Sequence, residues 1–181
     1  MPRKTLEDSK TKPRGGDLVT RLADELRNQH QTGQPIIYEK EFNGGRIRSL
    51  VIWDEWERLS LEDRTSVIHE AYFRAEGPES QSRIVLASGL TVPEAESAGM
   101  LPFQIIAALR KEDSVTIEEC RQAMIDVGAS TLLDPQRPQL RFATREEAET
   151  TLRELVKTLA NSEPVWVIAQ DVGKVDDWIE R

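Results

Sequence analysis

Apolar residues recur along this chain in two rhythms, at helical spacing in some stretches and in short strand-like runs in others. In residues 18–30, LVTRLADELRNQH, Leu18, Leu22 and Leu26 form one stripe with Val19 and Ala23 beside it, and Asp17 stands where an N-cap belongs. QTGQP interrupts this pattern. The runs IIYEKEF and RIRSLVIW then flank Asn43-Gly44-Gly45. Asn-Gly tolerates positive φ at both central positions of a tight turn, so the pair predicts a β-hairpin. LVIW is apolar on both faces, the mark of an interior strand. Ser60 opens a second helix running to about Ala75, with Asp63 placed to return a bond to the cap. Its expected buried face is Leu61, Ile68, Ala71, Tyr72 and Ala75. GPESQS breaks it, and RIVLAS reads as a third strand.

Three later helices share one opening device. Thr91 with Glu94, Thr116 with Glu119 and Thr144 with Glu147 each put a hydroxyl at the cap and a carboxylate three residues on. In such a capping box each side chain satisfies an amide the helix leaves unpaired, and the cap is worth ~1 kcal/mol. Gly99 and Gly128 stand where two of these helices should stop. PFQIIAAL reads as a strand, with a helical turn as the alternative; QLRFA and PVWVIAQ are strands, and STLLD is open between short strand and loop. DPQRPQ is a loop and GKVDDWIER a short closing helix. The order is αββαβ followed by βαβαβ, which predicts an α/β (α+β) fold with helices packed on a mixed sheet. The expected organisation is a disordered basic tail at 1–16, an αββαβ unit at 17–98 and a second α/β unit at 99–181. Whether the two units share one core stays open.

Composition narrows the setting. At 181 residues, 38% hydrophobic and 31% charged, the chain can build one ample core or two small ones. It has no apolar run near the roughly 18–20 residues that span a bilayer, and its first residues lack the apolar region of a secretory signal. One cysteine, Cys120, excludes an internal disulfide framework and fits a reducing cytoplasm. Net charge is −8, and the first sixteen residues hold five Lys or Arg against Glu7 and Asp8. That leaves the rest three charges more acidic than the whole, at −11. A body so acidic repels phosphate backbones, so nucleic-acid binding is expected only through the tail, if at all.

Two local patterns carry a family resemblance. VIWDEWERLSLEDRTSVIHEAY runs from a strand through an aromatic and a turn into an Arg-led helix, and RIVLASGLTVPEAE is a strand entering a T-x-x-E helix start. With the order helix, hairpin, helix, strand, short helix over residues 17–98, this is similar to the BolA family. The resemblance implies metal ligation by a histidine on the strand before T-x-x-E and by a Cys or His in the loop between the first two strands. Here Arg83 falls at the histidine position, the loop is only NGG, and Thr65 stands where many members have a further histidine. Iron–sulfur or haem ligation would lack its donors at these positions. No cofactor and no metal are expected.

The remaining chemistry is sparse. His30 ends a helix, where a cation is favoured by the dipole, and His69 lies at the flank of another; neither has an Asp or Ser spaced for a triad. Cys120 sits in a helix's first turns beside Glu118 and Glu119, which oppose thiolate formation, so it reads as a small core residue. Asp54, Glu55, Glu57, Glu62 and Asp63 form the densest acidic group, without the spacing or glycine of a calcium loop. No phosphate loop, nucleophile elbow, H-E-x-x-H or C-x-x-C motif occurs.

Trp53 and Trp56 straddle the acidic group. Core packing is one reading; an exposed tryptophan would instead anchor an interface with much apolar area and few rotamers. The expectation is a non-enzymatic, cytoplasmic protein-interaction or regulatory module that meets another protein through Trp53 and Trp56 or a sheet edge. The alternative is an enzyme or small-ligand binder with an acidic cleft between the halves, using Asp54, Glu57 and Arg64. Trp166 reads as core and Trp178 as the anchor of the last helix.

Overall fold

The computed structural model describes residues 15–31, 33–128, 138–159, 162, 165–171 and 175. The tail through residue 14, STLLD, most of DPQRPQ and the closing helix with Trp178 lie outside the described residues; Val175, within that last stretch, is described and buried. The chain divides into two compact units, residues 1–51 with 55–89 and residues 52–54 with 90–181. The class is α+β, in the expected order, and the strands form two sheets of three.

In the first unit the leucine stripe makes α1 (Gly15–Arg27), which buries Leu18, Val19, Leu22 and Ala23. The helix begins two residues before Asp17, which therefore sits in the first turn rather than at the N-cap and still meets the positive end of the dipole. It also stops at Arg27, short of His30. Gln29 N–H donates to Leu26 O at 3.2 Å and His30 N–H to Glu25 O at 3.0 Å, a Schellman-type stop made without glycine. Gln29 and His30 accordingly take φ of 54° and 61°.

β1 (Ile36–Phe42) and β2 (Arg46–Ile52) join through the NGG turn, in which Gly45 N–H donates to Phe42 O at 3.1 Å. Positive φ falls at Gly44 (86°) and Gly45 (71°), one residue later than the Asn-Gly rule places it. A turn spanning 42–45 with positive φ at its third residue needs glycine there, and Gly44 supplies it. β2 is the middle strand of the sheet β1-β2-β3, which is why its run is buried on both faces.

After a 3-10 turn (Asp54–Arg58), Ser60 caps α2 (Leu61–Glu76) by accepting from Asp63 N–H at 3.1 Å, while its own hydroxyl donates to the Asp63 carboxylate at 2.8 Å. The buried stripe is Arg64, Val67, Ile68, Ala71 and Tyr72. Leu61 is not part of it: at the first helical position it stands 65% exposed. Where GPESQS was expected only to break the helix, Pro78 instead opens a short α3 (Pro78–Arg83), since proline's fixed φ and missing N–H suit a first helical turn. β3 (Ile84–Leu90) completes the sheet.

In the second unit the three capping boxes are all formed, at the starts of α4 (Val92–Ala98), α5 (Ile117–Asp126) and α6 (Arg145–Thr158). Gly99 ends α4 in the left-handed region, and Gly128, at φ 99°, follows α5. β4 (Phe103–Ala107) is central, with β5 (Gln139–Phe142) and β6 (Trp166–Gln170) antiparallel on either side. Alternation along β4 sorts the faces. Ile105, Leu140 and Trp166 point into a core shared with Cys120, Ala123 and Met124 of α5 and Ala148 and Leu155 of α6. Gln104, Arg141 and Ala169 lie on the opposite face.

Candidate functional site

Neither tryptophan expected at an interface reaches the surface. Trp53 is buried in the second unit, where its backbone N–H donates to Leu90 O at 2.9 Å. Trp56 is fully buried in the first, its indole N–H donating to Val51 O at 3.1 Å. Arg64 is turned inward beside it and donates from Nε to Leu59 O and from Nη1 to Gly89 O, both at 3.1 Å. A Cβ on Gly89 would lie 2.9 Å from Arg64 Cβ and 3.1 Å from Trp56 Nε1, so the two side chains close over a position that only glycine fits. Asp54 and Glu57 are exposed. Of the trio Asp54, Glu57 and Arg64, the arginine thus bonds backbone carbonyls of the first unit.

The same joint closes one edge of the first sheet. Leu90 O faces Trp53 N–H, so in a regular strand the carbonyls of Ala87 and Gly89 point the other way, off the outer edge of β3. Residues of α2 stand against both: Gly89 O accepts from Arg64, and the Thr65 hydroxyl, 3.0 Å from Leu61 O in its own helix, lies 3.3 Å from Ala87 O. Thr65 belongs to a row of α2 residues four apart, Leu61, Thr65, His69 and Phe73, and its bond places that row along the β3 edge. Leu61 and Phe73, at the ends of the row, are 65% and 42% exposed. The Cβ direction of Gly89 points toward α2, so alternation puts Val85 on that same face, 48% exposed, and Leu86 on the other, 39% exposed. Four large apolar side chains thus stand exposed about a strand edge against which α2 is set at Ala87 and Gly89. No known family model matches this chain, and neither a curated protein nor a solved structure does.

Elsewhere in the first unit lies a polar network that spacing did not reveal. The buried Tyr72 hydroxyl bonds the Glu39 carboxylate of β1, and Ser49 Oγ of β2 lies 2.9 Å from the Tyr72 hydroxyl. Burial first, and then the Glu39 charge, push the Tyr72 phenol far above its ordinary range, holding it protonated as a donor. His30 Nε2 sits 3.4 Å from the other Glu39 oxygen. These contacts tie the segment after α1, both hairpin strands and α2 together, with Tyr72 and Ser49 sealed from solvent. Cys120 is buried, and its thiol is pushed up by burial, then by Glu119 and Asp113, so it packs rather than reacts. His69 is half-buried on the α2 row. Among the described residues no group of three or more His, Cys, Asp or Glu is arranged to hold a metal. Arg83, at the position where the BolA resemblance implies a ligating histidine, donates from Nε to Gly45 O at 2.8 Å and flanks Glu41 and Glu76 at 4.0 and 3.8 Å. It braces the hairpin turn.

The sequence signal for the exposed row was present but faint. Phe73 falls off the stripe defined by Val67, Ile68, Ala71 and Tyr72, whereas Leu61, seven residues before Ile68, is in line with it and is exposed only because it stands at the helix start.

Proposed function

We propose that this protein is a non-enzymatic protein-interaction module whose contact surface is the α2 row and β3 edge of its first unit. The observation that carries the reading is the exposure of Leu61, Val85, Phe73 and Leu86 around one strand edge. Scattered single apolar residues on a surface need no explanation; a group of them on adjoining elements marks an interaction site. The mode of contact follows from the hydrogen bonds. Strand addition needs free carbonyls and amides along the edge, whereas Gly89 O already accepts from Arg64 and the Thr65 side chain stands against Ala87 O. A partner chain would therefore pack apolar side chains against the row rather than extend the sheet.

The BolA-like frame proposed for residues 17–98 is supported by the element order, α1, the β1–β2 hairpin, α2, β3 and the short α4, and the interaction reading does not depend on it. The cytoplasm is the proposed setting, since a chain with a single, buried cysteine suits a reducing compartment. Among the described residues no helix is long and apolar enough to cross a membrane.

The test is affinity capture from the native cell extract, comparing the wild type with Leu61→Ser/Val85→Ser. A defined partner retained by the wild type and weakened about tenfold or more in the variant, at unchanged melting midpoint, is the expected result. Equal retention by both proteins would overturn the assignment of this surface.

A further inference from the structure

The second unit holds an unmatched donor and acceptor on directly opposed residues. Gln104 of β4 pairs with Arg141 of β5, on the sheet face turned away from the core of α5 and α6. The Arg141 side chain is 4% exposed. Its Nη2 donates to Asp171 Oδ2 at 2.8 Å, and its Nη1 donates to Leu101 O at 3.0 Å and lies 3.4 Å from Asp171 O. The guanidinium charge is thus already answered. Arg141 Nε and Gln104 Oε1, both buried, make no hydrogen bond with any described residue. One needs an acceptor and the other a donor.

We propose that Arg141 and Gln104 together bind one internal water molecule, which accepts from Arg141 Nε and donates to Gln104 Oε1. The chemistry of the pair selects this ligand. An anion would meet the Gln104 oxygen and gain nothing from a guanidinium already neutralised by Asp171; a cation would meet the guanidinium. A neutral group that both accepts and donates satisfies the two atoms together. Directly opposed residues of antiparallel strands have Cβ atoms about 4.5–5.5 Å apart, so a single water can bridge the ends of these two side chains. Leaving both atoms dry costs more than the entropy of fixing one water. Held by an arginine locked at three contacts, the molecule exchanges slowly with solvent and acts as part of the sheet.

Magnetic relaxation dispersion of solvent water, measured on the full chain, counts such long-lived waters. Gln104→Met removes the acceptor at similar length. Gln104→Glu keeps both the length and the acceptor, so it retains the water and serves as the control for the fold. The proposal expects the wild type and Gln104→Glu each to show one long-lived water more than Gln104→Met, and a crystal structure of the wild type to place it within hydrogen-bonding distance of both atoms. Equal dispersion in all three proteins, or a Gln104 amide bonded directly to Arg141 Nε, would overturn it.

Discussion

Tyr72 shows how much one side chain carries in the first unit. Its hydroxyl is sealed between Glu39 and Ser49, and a hydrogen bond to a charged group is worth more than a neutral one. Tyr72→Phe should therefore lower stability at neutral pH by about 1–3 kcal/mol. The pH dependence has a definite sign. The folded phenol pKa lies above the unfolded value of about 10, so its contribution is complete below that value and is lost as pH rises beyond it. Thermal unfolding followed from neutral to alkaline pH should show a steep fall in the wild type and a shallower one in Tyr72→Phe. Parallel curves would mean that the phenol ionises freely in the folded state. Gly89 makes the complementary case, where the missing side chain matters. Gly89→Ala forces a Cβ to 2.9 Å from Arg64 Cβ, a backbone-proximal atom that cannot swing aside. A loss of about 1–3 kcal/mol by urea unfolding is expected from such overpacking. Neither residue announced itself in the sequence, because Tyr72 reads as one apolar position in a stripe and Gly89 as an ordinary strand glycine. Their roles arise from partners 23 to 33 residues away for Tyr72 and 25 for Arg64 with Gly89.

At the scale of elements the sequence is far more legible. The capping boxes of α4, α5 and α6 need only residues three apart, and all three form as their spacing implies. Thr91→Ala, Thr116→Ala and Thr144→Ala should each cost roughly 0.5–2 kcal/mol. The box at α5 adds an acid-side test. The Thr116 backbone N–H, and then its hydroxyl, hold the Glu119 carboxyl below its ordinary value. Its stabilisation is therefore present above the unfolded carboxyl pKa of about 4.3 and lost as pH falls through the lower folded value. In Glu119→Gln, the melting midpoint should lie below that of the wild type at neutral pH, and the two should converge in acid. A constant gap would contradict the box as the cause. Features that depend on what lies across the fold are not legible in this way: Leu61, on the expected buried face, is exposed, and Trp56, which the sequence leaves open between core and interface, is buried. A helical period gives the direction of a side chain, whereas exposure depends on what packs there. For Trp56 that is Gly89, Arg64 and the Val51 carbonyl, none of which local spacing could supply.

For the whole molecule, alternation of strands and helices was enough to give the α+β class, and strand pairing was not. β4 takes the centre of the second sheet although β5 and β6 follow it, a choice made by register and burial across the fold. The interaction surface belongs to this scale too, because it arises only when α2 is laid along β3 by Arg64 and Thr65. Hydrogen–deuterium exchange of the full chain, alone and saturated with the partner captured from extract, tests it most directly. The account predicts added protection confined to α2 from Leu61 to Phe73 and to β3 around Val85 and Leu86, with the capped helices of the second unit unchanged. Protection centred instead on α5 or α6, with α2 and β3 unaltered, would contradict it.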